Sequence, residues 1–129
     1  MDFEAAFVIE LKSIAALNNR VYPLVAPEQK FDLTQPYLIY LATPGLRTKD
    51  LSTFQTGQTI RGELNIIAPR YLDAHSITTI AIDKLISMQG RAIAETGPFI
   101  QEVVYRQPLT FYEEKPKLYR CMVEFEVYF

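Results

Sequence analysis

The sequence predicts an α+β domain in the order helix, strand, strand, helix, strand, strand. The strands would form a mainly antiparallel four-stranded sheet, with two helices packed on one face. Three observations predict this. First, the stretch Leu118 to Phe129 alternates. Tyr119, Cys121, Val123, Phe125, Val127 and Phe129 share one parity without a charge, while Leu118, Arg120, Met122, Glu124, Glu126 and Tyr128 share the other. Side chains of a strand alternate between faces, whereas a helix, with its period of about 3.6, would mix these sets. Second, two other stretches carry the helical period. Third, the remaining strands come in pairs joined without a helix, and such pairs are most simply hairpins. A strand as long as the last one needs partners on its edges and an apolar layer against its uncharged face.

Taken in order, Asp2 to Leu17 reads as an amphipathic helix, because Phe3, Phe7, Leu11, Ile14 and Leu17 recur at spacings of three and four. Glu4 suits the positive end of the helix dipole, and Asn18-Asn19 tolerates the left-handed conformation that ends a helix. Arg20 to Pro27 holds prolines at 23 and 27 and reads as an extended path. After the polar stretch Lys30 to Pro36, Tyr37 to Thr43 is a strand that is apolar on both parities. That pattern fits burial on both faces or a place at an interface. Pro44 to Gln58 reads as a loop of 15 residues, a length that is usually functional or mobile, with a plain hairpin tip as the alternative.

Thr59 to Ala68 is the second strand, with Ile60, Leu64 and Ile66 on one parity and Arg61, Glu63 and Asn65 on the other. Gly62 interrupts the apolar parity and marks either a bulge or a close approach by a neighbouring side chain. Pro69-Arg70-Tyr71 turns the chain into a helix over Leu72 to Met88. Its inner stripe is Ala74, Ile77, Ala81, Leu85 and Met88, widened by Ile80, with Asp73 in the first turn and Gly90 as the C-terminal cap. Phe99 to Arg106 is the third strand. Gln107 to Lys117 reads as a second loop, bearing prolines at 108 and 116, and the final strand closes the chain.

A chain of 129 residues, 49% apolar, fits one domain over residues 1–129 and has enough apolar mass for a core. Thirteen basic and fifteen acidic residues, a formal charge of −2, are scattered along it, which disfavours the clustered cations that nucleic-acid binding requires. The single cysteine, Cys121, excludes a disulfide within the chain and suits a reducing compartment. Met1-Asp2-Phe3-Glu4 lacks a basic leader region, and the apolar run Tyr37 to Ala42 is too short to span a membrane.

Catalytic patterns are sparse. His75 is the only histidine, so neither a zinc spacing nor a Cys–His pair is written in the sequence. Cys121 sits on the apolar parity and reads as an inert buried thiol. Glu124 and Glu126 could form an acid–base pair, although a solvated sheet face explains them more simply. None of the five glycines fits a phosphate-cradling loop. No cofactor or metal is expected. Eight tyrosines and eight phenylalanines can serve docking surfaces or ordinary packing. Strand composition, loop length and aromatic content single out Tyr37, Tyr40, Arg47, Lys49, Asp50, Phe54, Phe111, Tyr112, Glu113 and Glu114 as candidate interface residues.

Several stretches together resemble one family. They are Arg20-Val21-Tyr22-Pro23 with Ala26-Pro27, Pro36-Tyr37-Leu38-Ile39-Tyr40, and Ile60-Arg61-Gly62-Glu63-Leu64-Asn65-Ile66. Tyr71 opening an Ala- and Ile-rich helix, and the closing Val123-Glu124-Phe125-Glu126-Val127, complete the set. Over nearly its whole length the chain resembles the tail-completion or tail-to-head joining proteins, similar to tail terminators, of long-tailed bacteriophages and prophages. The resemblance implies a structural, non-enzymatic protein of the virion tail, assembled in the host cytoplasm. It would form a homo-oligomeric ring, a hexamer, that caps the tail tube protein and meets the head connector or stopper protein. It would bind no membrane and no specific nucleic-acid sequence. The alternatives are another minor tail or tail tube component, or a small ligand-binding or enzymatic α+β domain using His75, Glu124 and Glu126.

Overall fold

Two long strands run through the middle of the molecule. The computed structural model describes residues 2–25, 32–43, 46–49, 54–115 and 117–129, with the backbone alone at 46–49 and 54–56. Along the chain the elements are α1 (Phe3–Lys12), a 3-10 turn (Ala15–Leu17), β1 (Val21–Pro23), β2 (Tyr37–Ala42), β3 (Leu46–Lys49) and β4 (Phe54–Ala68). They continue with α2 (Tyr71–Met88), β5 (Glu102–Tyr105), β6 (Leu109–Glu113) and β7 (Leu118–Tyr128). β4 and β7 pair antiparallel from Thr59↔Tyr128 to Ala68↔Tyr119. The sheet order is β1-β2-β4-β7-β5. β3 continues the β2 column alongside β4, and β6 continues the β5 column alongside β7. Each central strand is thus flanked by a column that is broken once.

The expected four-stranded, mainly antiparallel sheet is therefore wrong: among the described residues the sheet has seven strands and is mixed. β1, read as an extended path, is a strand that pairs parallel with β2 through Val21↔Leu38. The stretches read as loops, Pro44 to Gln58 and Gln107 to Lys117, hold β3, the first residues of β4, and β6. All three missed strands are short, three to five residues. They add to the edges of long strands and need little parity contrast of their own.

Both helices form where apolar residues recur at helical spacing, and α1 alone of the two has a side-chain N-cap. Asp2 caps α1 through its Oδ1, which accepts from the Ala5 N–H at 2.8 Å. Phe3, Phe7, Leu11, Ile14 and Leu17 are all buried, but the α-helix stops at Lys12; Ile14 is extended and Leu17 follows in the tighter turn. Asn18 and Asn19 then take positive φ, 50° and 62°. In α2 the stripe Ala74, Ile77, Ala81, Leu85 and Met88 is buried, whereas Ile80, expected to widen it, faces outward. Both helices lie on the face that carries Leu64, Ile66, Val123, Phe125 and Val127, and these residues form one core with Leu38, Tyr40 and Phe7. Phe7 sits at its centre, its ring 5.0 Å from Phe3, 5.2 Å from Phe125 and 6.2 Å from Tyr40.

Gly62 shows why a small residue interrupts the apolar parity of β4. A Cβ there would lie 2.9 Å from the Phe125 ring and 2.1 Å from the Leu41 carbonyl oxygen, so the close approach, not a bulge, excludes a side chain. Glu10 locks α1 against the segment after α2. It is buried, and its carboxylate accepts from both terminal nitrogens of Arg91, at 2.6 and 3.0 Å, and from the Ala94 N–H at 3.0 Å. The Arg91 hydrogen bonds outweigh the opposing cost of burial and hold the Glu10 carboxyl below its ordinary range.

Candidate interaction surface

The second sheet face has no helix over it among the described residues. Register places its side chains in rows that run across the strands. One row is Leu41, Glu63 and Glu124. The next is Arg61, Glu126 and Val104. Another is Tyr37, Ile67, Arg120 and Phe111. Charges here are matched mostly across neighbouring strands. Arg61 Nε lies 3.1 Å from Glu126, Arg106 Nη1 lies 3.5 Å from Glu124, and Arg120 Nε lies 3.4 Å from Glu113. Asn65 donates to Glu63 at 3.2 Å and accepts from Arg120 at 3.2 Å. The Tyr128 hydroxyl donates to Glu126 at 2.6 Å, which pushes the phenol upward. A shallow hollow of about 600 Å³ crosses this face, lined by Leu41, Arg61, Glu63, Val104, Arg106 and Glu124 among others.

This arrangement does not gather the residues of the enzymatic alternative. Glu124 and Glu126 stand on the open face, each beside an arginine. His75 is exposed on α2, on the other side of the sheet, with its ring 5.9 Å from that of Tyr71. Cys121 is buried, as expected of an inert thiol. Among the described residues, no group of three or more His, Cys, Asp and Glu could hold a metal ion. No helix of the described chain is long and apolar enough to cross a membrane.

The candidate interface residues separate into two sets. Tyr37 and Tyr40 are buried within the chain, which corrects the expectation that they offer contact surface. Tyr40 lies under α1, where burial and then the Glu4 carboxylate, 3.0 Å from its hydroxyl, push its pKa up to about 12. Tyr37 packs with Ile67 and Leu118 in a small cluster on the open face, joined by Tyr22 and Ile39, and burial raises its phenol too. β2 is flanked by β1 and β4, so neither of its tyrosines can reach an edge.

The second set lies at the two sides of the sheet. Arg47 and Lys49 are on β3, where Lys49 pairs with Phe54 at the start of β4, and Asp50 lies outside the described residues. Phe111, Tyr112 and Glu113 are on β6, with Glu114 in the turn after it, and all four are exposed. β6 is exposed at every position. Leu109, Phe111 and Tyr112 keep 52%, 40% and 51% of their surface open, which is high for large apolar residues on a strand. The Arg120 guanidinium sits 4.9 Å from the centre of the Phe111 ring. On the opposite face, Tyr112 lies 4.8 Å from Tyr119, which lies 5.7 Å from Tyr71. Both faces of this edge therefore carry an aromatic ledge. The exposure of Leu109, Tyr71 and Leu72 was not foreseen. Leu109, Phe111 and Glu113 on one parity and Thr110 and Tyr112 on the other both mix apolar and polar residues, so no alternation announces this strand, and the flanking prolines at 108 and 116 favour a loop reading.

No family model matches the chain, and neither does any curated protein. Among solved structures, a chain from the virion of a native gene transfer agent (GTA) particle superposes with a TM-score of 0.65 at 15% identity. The match covers 98% of this chain and 92% of that one. A second solved chain, which has no descriptive name, gives a TM-score of 0.50 at 15% identity over 97% of this chain and 89% of its own. At that identity the likeness is one of fold.

Proposed function

We propose that the chain is a structural virion protein of the phage head–tail junction. It completes or terminates the tail as a homo-oligomeric ring, a hexamer, between the tail tube protein and the head connector or stopper protein. The observation that carries this reading is the match to the GTA virion chain across nearly the whole of both chains. The scattered site residues and the two open sheet edges support it, because a subunit of this kind needs association surfaces and no reaction centre. The protein has no catalytic role in this reading. A formal charge of −2 suits a ring through which DNA slides without adhering.

The test is electron microscopy of the purified protein mixed with tail tubes from the phage or prophage that encodes it. Ring-shaped caps at one end of each tube are expected. Incorporation along the tube would favour the second reading, a tail tube or minor tail component. Absence of any association would contradict both. A low-salt mobility-shift assay adds an independent check, in which little DNA binding is expected and tight binding would count against the DNA-passage role.

A further inference from the structure

Among the described residues, β6 and β3 are open edges on opposite sides of one sheet, and hydrogen bonds along the ladder fix which way their backbone groups point. The Arg106 N–H donates to the Glu124 carbonyl, so the even-numbered residues of β7 bond towards the β5/β6 column. Alternation carries that pattern to Met122, Arg120 and Leu118, the partners of Leu109, Phe111 and Glu113. Thr110 and Tyr112 therefore turn their N–H and C=O groups outward. On the other side, the Thr43 N–H donates to the Arg61 carbonyl, so Thr59 bonds to Leu46 and the backbone groups of Arg47 point away from the sheet. Of the other outer strands, β1 has three residues and ends in Pro23, which lacks an N–H and blunts that edge, and on β5 the Val103 N–H already donates to the Gln89 side chain at 3.0 Å.

We infer that the ring is closed by edge pairing between copies, the outer side of β6 in one subunit adding to the outer side of β3 in the next. This inference rests on the ring reading above and names its interface. The directions fit: β3 runs against β4, β4 against β7 and β7 against β6, so copies in the same orientation present β6 and β3 antiparallel. The register positions fit as well. Positions 47, 110 and 112 have outward backbone groups and belong to the same sheet face, and the register that keeps all four residues of β3 alongside β6 sets Arg47 of one copy opposite Tyr112 of the next. In that register Leu46 falls opposite Glu113 and Lys49 opposite Thr110. The pairing is heterologous, one edge meeting a different edge, and such contacts build rings where the rotation between copies closes. Its main-chain bonds would occupy the exposed donors and acceptors, and its alternate side chains would cover the two aromatic ledges.

Disulfide trapping tests this directly. Arg47→Cys and Tyr112→Cys are made as separate proteins, with the native Cys121 buried in both. Opposed positions in an antiparallel pair lie about 5.5 Å apart at Cα, within disulfide range. Mixing the two variants under mild oxidation should give a covalent dimer that neither gives alone, while light scattering reports the wild-type mass. A multi-chain mass without the mixed disulfide overturns the edge pairing and leaves the ring reading standing. A single-chain mass at every concentration without the disulfide overturns both. Efficient cross-linking of Tyr112→Cys alone points to a symmetric β6–β6 pair and overturns the heterologous arrangement. As a second variant, Thr110→Pro removes one outward N–H. It should weaken assembly roughly tenfold or more while the melting temperature of the dissociated subunit stays unchanged. Wild-type assembly by this variant would also overturn the pairing.

Discussion

Val123 and Val127 on β7 are sealed beneath the helices, while Glu124 and Glu126, each one residue from a valine, stand on the open face beside Arg106 and Arg61. Both sets belong to one strand and share one backbone ladder. Burying each valine contributes on the order of 1.5–3 kcal/mol. An exposed pair such as Arg61–Glu126, whose arginine side chain is 73% open, contributes about 0–1 kcal/mol. The covered face therefore holds the fold, and the open face and its edges are free to be shaped by what they meet.

The largest break in this contrast comes from the centre of the covered side. Phe7→Ala removes a ring packed against Phe3, Tyr40 and Phe125 and should cost about 3–5 kcal/mol in urea unfolding. A loss below roughly 1 kcal/mol would mean that the core does not close around α1.

A smaller loss, about 1–3 kcal/mol, is expected for Glu10→Gln, which removes the charge that holds Arg91 and the Ala94 N–H. The same residue predicts a pH dependence. The folded pKa of Glu10 lies below its ordinary value of 4.5, so its stabilisation is complete above that value and is lost as pH falls through the folded pKa. Wild-type stability should therefore decline below about pH 4.5, and Glu10→Gln should flatten that decline. Parallel curves for the two proteins would show that the clamp contributes nothing.

The smallest effect belongs to the open face. A double-mutant cycle on Arg61→Ala and Glu126→Ala should give a coupling under about 1 kcal/mol, shrinking further in high salt. A coupling above roughly 2 kcal/mol would show that this face is far better shielded from solvent than the geometry implies.

How far the sequence reveals this molecule follows from the same contrast. β7 was legible because its two parities differ in charge, and α2 because small and branched apolar residues recur on one side. β6 was not, because Leu109, Thr110, Phe111 and Tyr112 are all exposed and leave no parity contrast to read. β1 pairs in parallel with a strand fourteen or more positions further on, a tertiary relation that three residues cannot announce. Tyr37 and Tyr40 were read as docking aromatics, but alternation alone does not say whether a strand lies inside a sheet or at its border. Phe111, Tyr112, Glu113 and Glu114, singled out by loop length and aromatic content, are exposed on β6 and the turn after it.

The most direct measurement is hydrogen exchange along β6 over a series of protein concentrations, with particle mass followed in parallel. The outward amides of Thr110 and Tyr112 should exchange quickly in the dissociated subunit and become protected as multi-chain particles form, together with β3, while the amides of α2 do not change. Growth in mass with no added protection at β6 and β3 would contradict the account.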